Sequence, residues 1–266
     1  MTQVFADLPL ARRLERAEGH GNAAFVDAQA RLDPASGAIW KRAGGAFAMF
    51  AGVGSPITQT FGLGLFEALV DADLDAIERF FTSRGSAAIH EVCPLAGVEV
   101  FAKLAGRGYK PVELSSVLFQ PIDADTRIAS NSTLTVRKVE RADAPLYGKV
   151  SARGWSEYPE LMPYIEGFAQ LSVACATCFI AERDGTPIAT AALSMQDGTA
   201  LLAGASTIPE GRRQGAQNLL LDTRLQIAAS HGCDLAMMVA APGSASQRNA
   251  ERQGFRIAYT RTKWQL

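Results

Sequence analysis

The sequence predicts an α/β protein assembled from two copies of one structural unit. Strand-like apolar runs alternate with stretches of helical periodicity along the 266-residue chain. One order of signals also occurs twice: helix, Gly, strand, Pro, helix, Gly-aromatic, strand. The spacings agree as well. Gly85 precedes Gly108-Tyr109 by 23 residues, and Gly232 precedes Gly254-Phe255 by 22. Pro94 follows Gly85 by nine residues, and Pro242 follows Gly232 by ten.

In the first copy, Leu10, Leu14 and Ala17 repeat at helical spacing, with Arg12, Arg13 and Arg16 on other faces. Ala38 to Gly52 and Gln59 to Leu65 read as strands. Asp71 and Asp73 open a helix whose core face is Leu74, Ile77 and Phe81, and Gly85 ends it. A strand over Ala87–Val92, a short helix around Val100–Leu104 and a strand near Glu113–Phe119 follow.

In the second copy a strand over Leu134–Val139 precedes helices near Ala142–Gly154 and Pro159–Ala174. A hairpin of Phe179–Glu182 and Ile188–Met195 turns at Asp184-Gly185-Thr186, and Ala200–Thr207 is the next strand. Gln217–Ala229 is a helix with Ala216, Leu219, Leu220, Thr223 and Ile227 on its apolar face. Then come a strand at Asp234–Ala240, a helix at Ala245–Arg252 and a last strand at Ile257–Trp264. The expected division is a first domain at 1–121, a polar linker at 122–133 and a second domain at 134–266.

Composition narrows the function classes. Hydrophobic residues at 48% and charged residues at 20% are globular values, against disorder. Twenty-six basic and 27 acidic residues leave a formal charge of −1, which gives no support to a nucleic-acid partner or a polycationic substrate. Ala43–Phe66 carries no charge, but its glycines and Pro56 break it into buried strands and turns rather than a membrane span. Arg12, Arg13, Glu15, Arg16 and Glu18 interrupt any secretory signal, so a reducing, cytoplasmic location is expected.

The segment Thr207–Leu221, TIPEGRRQGAQNLLL, carries the chemistry. A strand ends in a Gly- and Arg-rich turn that runs into a helix. The free amides and positive dipole end of that helix suit a phosphate. Gly215 lets an anion approach the backbone, and Arg212 and Arg213 add charge for a diphosphate. There is no Gly-Lys-Ser/Thr ending and no Gly-x-Gly-x-x-Gly, which excludes a P-loop and disfavours a dinucleotide turn.

Arg212-Arg213-Gln214-Gly215-Ala216 resembles the Arg-x-x-Gly-x-Gly/Ala signature of the GNAT N-acetyltransferase superfamily. Ser246 to Phe255 resembles that family's second coenzyme-contacting helix, and the likeness covers about 134–266. The resemblance implies tandem GNAT-like domains, each a mixed, mostly antiparallel sheet flanked by helices. It also implies an acyltransferase that passes acetyl from acetyl-coenzyme A to a primary amine by direct attack, without a metal. Backbone groups of Ser206, Thr207 and Ile208 would line the pantetheine and polarise the thioester, with Ser246 and Asn249 beside the arm. Arg212, Arg213, Gln214, Gly215, Ala216 and Gln217 would hold the diphosphate. Gln217 stands where a second glycine is frequent, and its amide could donate to a phosphate. Ser246 reads equally as a helix N-cap.

Where many members carry a tyrosine acid, this chain has Ala250. Glu157, in a loop that borders the acceptor site in the family, is the candidate base, and Tyr158 and Tyr259 are candidate acids. Each also has a plainer reading as a surface or packing residue. The acceptor is expected to be a small-molecule or peptide amine, and the chain a monomer with an internal pseudo-dimer. Loss of catalysis would leave an acyl-coenzyme A sensor or a structural module instead.

The first copy lacks the anion turn, because Glu67, Asp71 and Asp73 would repel a diphosphate. Cys175 and Cys178 close a helix rather than open one, the wrong polarity for a redox pair, and read as buried small residues. His90 and Cys93 lie three apart on a strand and face opposite sides, while Glu91 reads as a buried structural group.

Overall fold

In the computed structural model, three hairpins are closed by two-residue turns whose residues are both left-handed: Gly44-Gly45, Asp184-Gly185 and Asp197-Gly198. This turn matches the natural twist of paired strands, which is why Gly and Asp-Gly stand there. The structure describes residues 4–128, 133–159 and 162–266, the side chains of 162 and 163 aside. Residues 129–132 of the expected linker and 160–161 of the expected helix lie outside the described residues.

The chain divides into unit 1, Met1–Gln120 with Val239–Leu266, and unit 2, Pro121–Met238. Unit 1 holds α1 (Leu8–Leu32), β1 (Ile39–Ala43), β2 (Ala46–Phe50), β3 (Gln59–Phe61), α2 (Asp71–Thr82), β4 (Ile89–Val92), α3 (Val98–Gly106) and β5 (Lys110–Pro121). Unit 2 holds β6 (Thr135–Lys138), α4 (Ala144–Gly154), α5 (Met162–Ser172), β7 (Thr177–Arg183), β8 (Thr186–Gln196), β9 (Thr199–Thr207), α6 (Ala216–Ser230) and most of β10 (Leu235–Ala240). The chain then returns to unit 1 with α7 (Ala245–Arg252) and β11 (Arg256–Gln265).

Local chemistry accounts for these elements. Asp7 caps α1 by accepting from the Leu10 amide, and Leu10, Leu14 and Ala17 are buried as the periodicity predicts. In α2, Leu74, Ile77 and Phe81 lie in the core beside Ala46, Ala48 and Leu63. The charge-free run is explained by β2, which is buried at every position. Among the described residues no helix is long and apolar enough to cross a membrane.

Two of the described strand pairs are parallel, one in each unit. In unit 1, β3 and β4 run parallel with Thr60 opposite His90, and in unit 2, β9 and β10 run parallel with Leu235 opposite Thr199. Both parallel contacts are short. Unit 2 continues antiparallel through β9, β8, β7 and β6.

The structure departs from the expected division in two places. Residues 239–266 group with the first unit, because β11 pairs antiparallel with both β4 and β5. The start of the expected linker, 122–128, is also tied down: Ile122 and Ile128 are buried, and their amides donate to the Asp234 carbonyl and the Asp222 carboxylate.

A buried charge cluster fixes the place of β11. Arg261, fully buried, pairs with Glu15 at 3.3 Å, with Glu18 at 2.5 Å and with Glu91 at 3.4 Å. Lys263 completes the set through Glu91 and Glu113. A slip of one residue would turn Arg261 to the other face and strand three acids in the core. Burial opposes the charge of Arg261, but Glu18, Glu15 and Glu91 together hold its pKa well above the ordinary value. His90 and Cys93 form no site. Burial holds the imidazole neutral, with its pKa lowered to about 3, and raises the thiol to about 12.

Burial also raises the Glu15 carboxyl to about 7, against the opposing pull of Arg261. A carboxyl that binds its proton more tightly when folded stabilises the native state fully below its ordinary value. That contribution is lost as the pH rises through its folded value. Wild-type protein should therefore lose stability from about pH 5 to pH 8 relative to Glu15→Gln. Urea midpoints across that range test this, and parallel profiles would contradict it.

Candidate functional site

The parallel register of β9 and β10 ends at Leu201 opposite Met237, while β9 runs on to Thr207. Just beyond that point Ala203, Gly204 and Ala205 are exposed, although they belong to an inner strand of the sheet. The β8–β9 register shifts between Thr190 and Ala192, and Gly204 is left-handed there. This bulge bends β9 and leaves its outer edge open.

The bulge is held from below. Arg224 on α6 is fully buried and donates to the carbonyls of Ala192 at 3.2 Å, Ala203 at 3.4 Å and Leu220 at 3.1 Å. Burial lowers its pKa to about 10. Tyr147 packs beside it, and a β-carbon at Gly204 would stand 3.2 Å from the Tyr147 hydroxyl. The Ser206 hydroxyl donates to the Ser151 carbonyl at 2.7 Å, and Gly154 closes on Ser206 so tightly that a β-carbon would lie 1.8 Å from Oγ.

The turn after β9 is an anion cradle in shape. Ile208 is buried and Pro209–Gly211 makes a single helical turn. Arg212 is extended, Arg213 is left-handed at φ 62°, and Gly215 is left-handed at φ 83° as the N-cap of α6. Alternation of this kind points successive amides into a concavity. Among the described residues, no hydrogen bond links the amides of Arg213, Gln214, Gly215, Ala216 or Gln217 to another backbone group outside the helix. Arg212 reaches Glu157 at 2.6 Å and the Gly154 carbonyl at 3.3 Å, while Gln214 ties to Arg183 and to the Glu210 carbonyl.

Several expected roles change. The Gln217 amide, expected to donate to a phosphate, instead donates to the Ser206 carbonyl and the Thr207 hydroxyl, each at 2.9 Å, and so ties α6 to β9. The Ile208 amide donates to the Ile188 carbonyl at 3.0 Å and is not free to polarise a thioester. Tyr259 is buried in unit 1 and donates to Glu15 at 3.0 Å, with its pKa pushed well above the ordinary value by burial; an acid role does not fit that position. Arg212 holds the Glu157 carboxyl below its usual range, which makes it a poor base while the pair lasts. Tyr158 is exposed, its ring 6.0 Å from that of Trp155.

Ser246 and Asn249 lie exposed on α7, and Ser244 rather than Ser246 caps that helix through the Gln247 amide. Both are in unit 1, so their assignment rests on the sequence resemblance alone. Ala250 is buried. The apolar periodicity places the buried face of α6 on Ala216, Leu219, Leu220, Thr223 and Ile227. Ala216 and Leu220 are buried, but the others buried there are Leu221, Arg224, Leu225 and Ala228, so the pattern does not reveal Arg224.

Unit 1 is closed where unit 2 is open. After β3, the Phe66 ring would lie 2.3 Å from a β-carbon at Gly62, and Val100 would lie 2.4 Å from one at Gly64. Cys175 donates its thiol to carbonyls of Leu171 and Ser172, and burial raises Cys178 to about 12, so the pair is not a reactive dithiol. Among the described residues no group of His, Cys, Asp and Glu could hold a metal ion.

Residues 139–255 match the acetyltransferase (GNAT) family. This segment is a GNAT domain. The match stops one residue before β11. Among solved structures, the chain is similar to a GCN5-related N-acetyltransferase from Kribbella flavida, with 21% identity and a TM-score of 0.64 over 91% of this chain and 95% of that one. It is also similar to a tandem GNAT protein from the clavulanic acid biosynthesis pathway, with 14% identity and a TM-score of 0.60 over 91% and 87%. A third is a GCN5-related N-acetyltransferase from Sphaerobacter thermophilus, with 12% identity and a TM-score of 0.57 over 78% and 71%. At these identities the likeness is one of fold. It extends over both halves, so a second, N-terminal GNAT-like half precedes the GNAT domain. No protein of curated function matches the sequence.

Gly154→Ala tests how far the site depends on the approach of α4 to β9. Overpacking against Ser206 should cost about 1–3 kcal/mol, read by urea denaturation. An unchanged midpoint would show that the contact yields without cost.

Proposed function

We propose that the GNAT domain is an N-acetyltransferase that moves acetyl from acetyl-coenzyme A to a primary amine by direct attack. The observation that carries this reading is the open edge of β9 running into the cradle before α6. A pantetheine arm is extended and carries amides, so it can pair with a free strand edge as an added strand does. The diphosphate would meet the free amides of Arg213 to Gln217, with Arg212 and Arg213 supplying charge.

In this reading the amine lone pair forms the C–N bond at the thioester carbonyl, and the C–S bond breaks from the tetrahedral adduct. Coenzyme A leaves as a thiolate and takes a proton from water, and the amine's surplus proton passes to solvent. Positioning carries most of the rate. Arg224 contributes by fixing the Ala203 carbonyl and with it the strand edge. The acceptor is a small-molecule or peptide amine, and the first half of the chain, residues 1–121, filled by Phe66 and Val100 after β3, takes no coenzyme.

A second reading, a sensor that binds acyl-coenzyme A without turnover, is favoured by Ala250 and by the engagement of Tyr259 and Glu157. Thiol release from acetyl-coenzyme A with a panel of amines separates the two. Acetyl-coenzyme A at a hundredfold over its dissociation constant should stabilise the protein by about 2.7 kcal/mol. Arg212→Glu should abolish most of that gain. A wild-type protein that shows no stabilisation contradicts both readings.

A further inference from the structure

We propose that Glu157 is an internal stand-in for the coenzyme diphosphate, occupying Arg212 in the free protein and leaving it when coenzyme A binds. The inference rests on the coenzyme reading above and adds a competition within the site. Arg212 Nη1 lies 2.6 Å from Glu157 Oε1, and its other terminal nitrogen is 3.3 Å from the Gly154 carbonyl. The guanidinium is therefore already spent on an anion and a carbonyl. It stands immediately before left-handed Arg213 and the free amides of the cradle, where a diphosphate would need it.

Both side chains are solvent-accessible, the Glu157 side chain at 61%, so the partners can exchange without opening the core. A carboxylate and a diphosphate cannot share one guanidinium without repulsion. The diphosphate carries more charge and gains the amides as well, so it wins. Glu210, the other acid near Arg212, faces Arg153 at 3.4 Å and is a weaker competitor.

The exchange has a consequence for the acceptor. Glu157 lies between Trp155 and Tyr158, whose rings are 6.0 Å apart, and both aromatics are exposed. Once released, the carboxylate shares one short loop with two exposed aromatic rings. That combination suits the ammonium of a cationic amine. Coenzyme binding thus frees the carboxylate that receives the acceptor.

Calorimetric titration of coenzyme A into the full chain and three variants tests the exchange. Glu157→Gln should tighten binding about two- to fivefold, the range of an exposed ion pair. Arg212→Gln should weaken it, and adding Glu157→Gln to Arg212→Gln should change nothing further. An unchanged or weaker Glu157→Gln overturns the proposal. So does a gain that persists without Arg212, because that would be general charge repulsion. If wild-type protein binds no coenzyme A, the coenzyme reading itself fails.

Discussion

The end of β9–β10 pairing at Leu201 is the constraint from which the site follows. The β9–β10 register ends there, and shortly beyond it β9 carries a bulge at left-handed Gly204 against β8. Ala203 to Ala205 are exposed there, while the carbonyls of Ala203 and Gly204 accept from Arg224 and Thr190. Exposed strand edges are normally blunted or covered. This one is stiffened from beneath by a buried Arg224 and tied at its far end by Gln217, so it stays open and ordered at once.

The same parallel motif in the first unit shows the other outcome. Thr60 and Phe61 pair with His90 and Glu91, and the chain beyond them is packed by Phe66 and Val100. The same frame of a short parallel pair thus stands in both units, and the side chains that follow it differ. Unit 1 spends its polar groups on structure instead. Glu15, Glu18 and Glu91 surround Arg261, and this arrangement makes β11 a strand of the first unit.

Much of this was legible in the sequence because local chemistry decides it. The helix at Ala245–Arg252 has the limits its Pro-Gly and Gly-Phe punctuation predicts, and Asp-Gly turns lie where strand signals part. The strand-to-helix turn was legible too, since Arg213 and Gly215 mark it in the sequence and both are left-handed. Non-local pairing was not. Nothing in the pattern of β11 says which strands flank it, because register is chosen by burial of partners far away in sequence. Arg224 was hidden for a related reason: a charged residue breaks the apolar stripe that the eye follows, and only its carbonyl partners make its burial tolerable. The bonds of Gln217 and the cap of α7, which is Ser244 rather than Ser246, were not legible, because one side chain can serve several neighbouring groups and geometry alone selects among them.

Hydrogen exchange on the full chain, with and without saturating coenzyme A, tests the central claim most directly. The account predicts slowed exchange at the backbone amides from Leu202 to Gln217 and no change from Gly62 to Val70. Protection over 62–70, or none at Arg213 to Gln217, would contradict it.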